Sequence, residues 1–255
     1  MNKISIILAA LSGTLIATTA AAHDFFLMPD AFSTARAGPL VIRATVGSTF
    51  PTPQIVVTPD RVERMWVRGK GSPLIRASAA EEKALPLQVT GAGPGLLVAA
   101  VKTKPRDVEY AEDRIPLILE EYRVAPAAAA AVGRLPRPRT WKVVSRRFAK
   151  TLVCVRRCTG GASSDRALGE PLEFVTHANR RDHFILLSKG RTLANYPVDL
   201  VGSDGKRKHL TTNAQGMIHV PVAAKGPMML FAAVLTPPKG QERFTLDLST
   251  LTFSR

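Results

Sequence analysis

The chain has 255 residues, 45% of them apolar, and carries 35 Lys and Arg against 20 Asp and Glu, for a formal net charge of +15. Nineteen Pro and eighteen Gly among many short Val/Ile/Leu runs favour β structure rich in turns. No zinc-finger spacing, recognition-helix pattern or aromatic-interleaved basic motif accompanies the charge, so no nucleic acid is expected as a partner; an anionic envelope surface fits better.

The first 22 residues have the three parts of a secretory signal: Lys3, a mostly apolar run from Ile4 to Ala17, and small residues ending in Ala20-Ala21-Ala22. The apolar run is shorter than the ~18 residues a membrane span needs. Cleavage is therefore expected after Ala22, giving an exported protein that begins at His23.

Residues 23–103 read as an N-terminal β domain. Strands are expected at Leu40–Val46, Arg61–Arg68, Leu85–Thr90 and Leu96–Val101. The last two flank Gly91-Ala92-Gly93-Pro94-Gly95, which reads as a hairpin turn, since no Lys-Ser/Thr or helix start follows to make a phosphate loop. Residues 104–150 read as a partly helical, Pro/Arg-rich connection. It holds a short helix over 113–122, with Pro116 in the first turn, and a helical turn after Pro126. Arg134–Arg139 is basic and extended, and Trp141–Val155 returns to strand. Residues 151–255 carry about seven short strands at regular turn spacing. The expected fold class is mainly β: two immunoglobulin-like β-sandwich domains joined by the connection.

Cys154 and Cys158 are the only cysteines. In an oxidising compartment a disulfide between them is expected, provided the backbone turns; a thiolate pair binding metal is the alternative.

Several segments together resemble a known family. His23-Asp24-Phe25-Phe26-Leu27-Met28-Pro29 after a signal peptide is similar to the opening of the bacterial periplasmic nickel uptake substrate-specific domain family, with Phe26 where tryptophan is usual. Val46-Gly47-Ser48-Thr49-Phe50-Pro51, Phe148–Val153, Gly169–Val175 and Thr211–Gly216 resemble further family segments in the same order. The resemblance implies a role in nickel or cobalt uptake, by capture or delivery of the ion to an inner- or outer-membrane transporter.

The residues themselves suggest metal chemistry. A mature N-terminal His23 offers its α-amine and ring nitrogen as one chelate, and an α-amine, with a pKa of about 7.7–8.0, can release its proton to a metal near neutrality. Asp24 adds a carboxylate as ligand or acceptor. His177, His183, His209 and His219 are the possible partners. His177 and His183 flank one loop and can stand together at strand ends. His209 and His219 flank the Asn213–Gly216 turn, on opposite faces if that turn closes a simple hairpin. The expected metal site is therefore His23 and Asp24 with His177 and His183, holding nickel, cobalt or copper. Gly-x-Ser-x-Gly, His-Glu-x-x-His, Walker and Rossmann patterns are absent, so no enzyme class is indicated. The expected function is a non-catalytic, periplasmic metal-binding accessory protein. The alternatives are a basic envelope module that binds an anionic polymer or protein, and a copper-dependent oxidase built on the His23 chelate.

Overall fold

The computed structural model describes residues 23–158, 164–178, 180–221, 223–240 and 243–255. The leader and its cleavage point lie outside them.

The first half contains β1 (Asp24–Pro29), β2 (Ser33–Thr34), β3 (Leu40–Gly47), β4 (Ile55–Val56), β5 (Val62–Arg68), β6 (Gly71–Ala77), β7 (Leu85–Ala92), β8 (Gly95–Thr103) and β9 (Arg106–Ala111). Two helices follow, α1 (Ile115–Glu121) and α2 (Pro126–Gly133), and then the long β10 (Thr140–Val155). The second half contains β11 (Leu172–His177), β12 (Arg180–Ser188), β13 (Arg191–Thr192), β14 (Pro197–Gly202), β15 (Arg207–Thr211), β16 (Met217–His219), β17 (Pro227–Thr236) and β18 (Phe244–Ser254).

The protein is mainly β, and its strands form three sheets that pack as sandwiches. The largest runs β15-β14-β17-β18-β10-β8-β5, with β2 and β9 also on β10. A second sheet runs β1-β3-β7-β6 with β4 on β3, and a third runs β11-β12-β13 with β16 on β12. Side chains alternate across a strand, so the parity of each buried residue tells which layer it meets. On β10, Ala149, Val153 and Val155 join the core under the second sheet, with Phe25, Leu27, Ile42 and Leu87. Lys150 and Leu152, of opposite parity, meet the third sheet. On β18, Leu251 and Phe253 face the third sheet. The hydroxyls of Thr250 and Thr252 donate to the backbone oxygens of Phe25 and Leu27, at 2.7 and 2.6 Å, and so tie down β1. The long sheet is thus a shared partition, covered on one face by the second sheet and on the other by the third. Both faces of its centre are buried, which is why β10 reads apolar on both parities from Phe148 to Val155.

The helices complete the first of those faces. Ile115, Ile118, Tyr122, Ala128 and Val132 pack on Trp141, Val143, Phe231, Ala233, Leu246 and Leu248. Pro116 and Pro126 both sit in first turns, where their missing N–H costs nothing. Residues 115–133 therefore act as a lid on a core. The strand expected over Trp141–Val155 forms as β10, and position 150/151 falls inside it.

Two turns that read as hairpins are not hairpins. β7 pairs with β3 and β6, whereas β8 pairs with β10 and β5, so Gly91–Gly95 carries the chain from one sheet to the next. Gly91 has φ +70°, and a Cβ there would lie 2.4 Å from the Ser72 carbonyl oxygen, so the crossover needs glycine. Likewise β15 pairs with β14, and β16 with β12. His209 and His219 consequently lie in different sheets. Local turn chemistry is the same for a hairpin and for a change of sheet; at Gly91–Gly95 the burial of both β7 and β8 favours the latter.

One buried ion pair joins the partition to the third sheet. Lys150 Nζ lies 2.8 Å from Glu173 Oε2 and donates to the Phe174 carbonyl at 2.7 Å. The same carboxylate accepts the backbone N–H groups of Leu168, Gly169 and Glu170. Cys154 and Cys158 are bonded to each other where β10 ends, with Cα atoms 5.0 Å apart.

Candidate functional site

The third sheet assembles a histidine cluster from three strands. β11 and β12 run antiparallel with Thr176 opposite Phe184, and the register then slips so that His177 faces Arg180. That irregularity lies at the turn, and it leaves the His177 and His183 rings 6.4 Å apart. On the other edge of β12, His183 stands directly opposite His219 of β16, with ring centroids 4.8 Å apart. Directly opposed residues of an antiparallel pair project from the same face, which brings the rings together.

Asp182 links the rings. Its Oδ1 lies 2.8 Å from His183 Nδ1 and its Oδ2 3.2 Å from His219 Nε2. The hydrogen bond to His183 is the main reason that the Asp182 carboxyl is held low, at about 2. A ligand atom each from Asp182, His183 and His219 lie within 4.8 Å of one another, and among the described residues this is the one such grouping of three. Asp182 and His183 are half-buried and His219 is exposed, so the cluster opens to solvent.

This donor set fits a transition metal. An imidazole whose Nδ1 is held by a carboxylate presents Nε2 outward, the usual arrangement behind a metal-ligating histidine. Imidazoles with one carboxylate suit nickel, copper, cobalt or zinc better than calcium or magnesium.

His23 and Asp24 lie elsewhere. His23 is exposed at the start of β1, and its carbonyl accepts from Arg147 Nη1 at 3.2 Å. Asp24 is buried, with its Oδ2 bonded to Arg207. Its Oδ1 is buried with no hydrogen-bond partner among the described residues. Burial outweighs the arginine and pushes the Asp24 carboxyl up to about 6. Arg207 continues to Asp199 at 3.2 Å, and Asp199 also accepts from Arg123 Nη1 at 3.0 Å and from His209 Nδ1 at 2.8 Å. Nearby Glu121, at the end of α1, is pushed up to about 7 by burial, with Asp24 adding to the effect and Arg207 opposing it. So the second-half histidine connected to the Asp24 network is His209, whereas His177 and His183 gather with His219 in the third sheet.

Sequence reasoning paired His177 with His183 but missed the His183–His219 contact, which depends on β16 joining β12. Asp182 was also missed, although its place directly before His183 was a visible signal.

Fold and site together define a β-sandwich protein that carries a solvent-facing histidine–carboxylate cluster on an outer sheet. The chain belongs to the family described as "Domain of unknown function (DUF4198)", whose model matches residues 20–236. No curated protein matches it. Among solved structures, the "D0-D1 domain of Intimin" aligns over 90% of this chain and 97% of that one, at 11% identity and a TM-score of 0.22. A likeness at that level adds nothing to the architecture described above. Among the described residues no helix is long and apolar enough to cross a membrane.

Proposed function

We propose that this chain is a periplasmic transition-metal-binding accessory protein, not an enzyme, that supports uptake or handling of nickel, cobalt or copper. The observation that carries this reading is the convergence of Asp182, His183 and His219 within 4.8 Å on an open face. His177 stands beside the cluster, with its ring 6.4 Å from that of His183. The resemblance of the opening stretch to the nickel uptake family points the same way. A transporter in the inner or outer membrane is the natural recipient. His23, freed by cleavage after Ala22, would offer a second chelate of amine and imidazole.

The test is calorimetric titration of the processed protein with Ni²⁺, Co²⁺ and Cu²⁺, alongside His183→Ala, His219→Ala and His23→Ala. Binding tighter than about 10 μM that weakens in the first two variants supports the outer-sheet site. Binding lost only in His23→Ala moves the function to the terminus. Wild-type protein with no such affinity for any of the three ions sinks the metal reading.

A second reading has its own observation. An open cleft of about 430 Å³ is lined by Lys206, Arg207, Lys208 and Lys225, with Asp204 its one acidic residue. Arg207 is committed to Asp24 and Asp199, which leaves the lysines to face solvent. Such a cleft suits an anionic envelope polymer, and it predicts salt-sensitive retention on anionic glycan or lipid without metal.

A further inference from the structure

Asp182 also has a cationic neighbour. Arg255, just after β18, places Nη2 3.6 Å from Asp182 Oδ2, the same oxygen that meets His219 Nε2 at 3.2 Å. The guanidinium is held there independently of Asp182: its Nη1 donates to the carbonyls of Val220 and Pro221 at 3.2 and 3.1 Å. The Arg255 backbone is fixed as well, since Gly226 N–H donates to its carbonyl at 3.1 Å. The side chain is three-quarters buried. A guanidinium is a fixed positive charge in proteins.

We propose that Arg255 is a built-in competitor for the metal, a positioning residue that weakens the Asp182–His183–His219 site so that its ion can be released. This inference rests on the metal reading above. With no metal bound, the guanidinium balances the Asp182 carboxylate and holds it between the two rings. When a divalent ion takes the two imidazoles and Oδ2, that oxygen must be shared with or surrendered by Arg255. The guanidinium, kept in place by two carbonyls, then sits beside a like charge. Both effects lower affinity without disturbing the donor geometry. A site of this kind suits capture followed by hand-over, whereas a structural metal site lacks such a competitor.

The experiment compares wild type, Arg255→Gln and Arg255→Lys by titration with Ni²⁺ and Zn²⁺. Outer-shell partners commonly change metal affinity by about 10–100-fold. Arg255→Gln, which keeps donors for the two carbonyls but removes the charge, is expected to bind about 10-fold more tightly. Arg255→Lys keeps the charge and is expected to remain within about 3-fold of wild type. In wild-type protein, diamagnetic Zn²⁺ is expected to shift the Arg255 Nε–H resonance, a readout that needs no variant to fold. Weaker or unchanged binding in Arg255→Gln overturns the inference, as does equal tightening in both variants. A Zn²⁺-bound protein with an unshifted Arg255 resonance does the same. If wild type and both variants all fail to bind, the metal reading falls and takes this inference with it; binding in wild type with no effect of Arg255 leaves that reading intact.

Discussion

Replacing Lys150 with methionine offers the sharpest test of the shared-partition architecture. Lys150 and Glu173 are almost wholly buried, at 3% and 0% side-chain exposure, and join β10 to β11 across the interface between two sheets. Methionine keeps the stem and the volume but removes the ammonium, leaving the Glu173 carboxylate without a counter-charge and the Phe174 carbonyl without its Lys150 donor. Breaking one side of a buried pair typically costs about 3–5 kcal/mol. The three backbone N–H groups that still reach Glu173 argue for the lower end, about 3 kcal/mol. For a chain of this size each kcal/mol lowers Tm by roughly 2–4 °C, so Tm should fall by about 6–12 °C. The assay is thermal unfolding by circular dichroism. A second variant, Lys150→Met/Glu173→Gln, removes the stranded charge while keeping an acceptor for the three N–H groups, and should recover part of the loss. A fall in Tm below about 2 °C, or a double variant worse than the single, would refute the reasoning.

Other outcomes follow from the same structure. Asp24 titrates at about 6 in the fold against 3.8 in the open chain, so its contribution is fully present below pH 3.8 and is lost as pH rises through 6. Glu121, pushed up to about 7, acts in the same direction. Asp24→Asn should therefore gain stability relative to wild type between pH 4 and pH 7, with a slope of up to ~1.4 kcal/mol per pH unit, measured by urea unfolding; parallel pH profiles would count against a buried Asp24. Gly216→Ala places a Cβ 2.9 Å from the Thr192 Cβ at φ +73°. It should cost about 1–3 kcal/mol in a denaturant melt and, by shifting β16, weaken metal binding at His219. Replacing Cys154 and Cys158 by alanine opens only a short loop and should cost about 2 kcal/mol, read from the same melt.

Much of the fold is written locally. Short apolar runs between Gly, Pro and Asp/Asn turns announce the strands, and the helices at Ile115 and Pro126 start where their prolines allow. Trp141–Val155 reads as strand as well, and it forms β10. What that pattern omits is which sheet each strand joins. The turn at Gly91–Gly95 and the one at Asn213–Gly216 both have hairpin chemistry, yet each hands the chain to a different sheet.

The candidate site divides along the same line. His177 and His183 are close in sequence and bounded by a single turn, so their approach was legible. His219 lies 37 positions from Asp182 and meets it only because β16 adds to the edge of β12. Asp24 follows His23 and reads from the sequence as a ligand or acceptor beside it. Its burial is set by Arg207, 183 positions away, and by the strands packed over β1. Alternation of apolar and polar residues specifies which face of a strand is buried, because side chains project on a period of two. Partner choice rests on backbone hydrogen bonds, which are nearly the same for every sequence, and on the fit of distant side chains. Those become definite only once all three sheets are packed together.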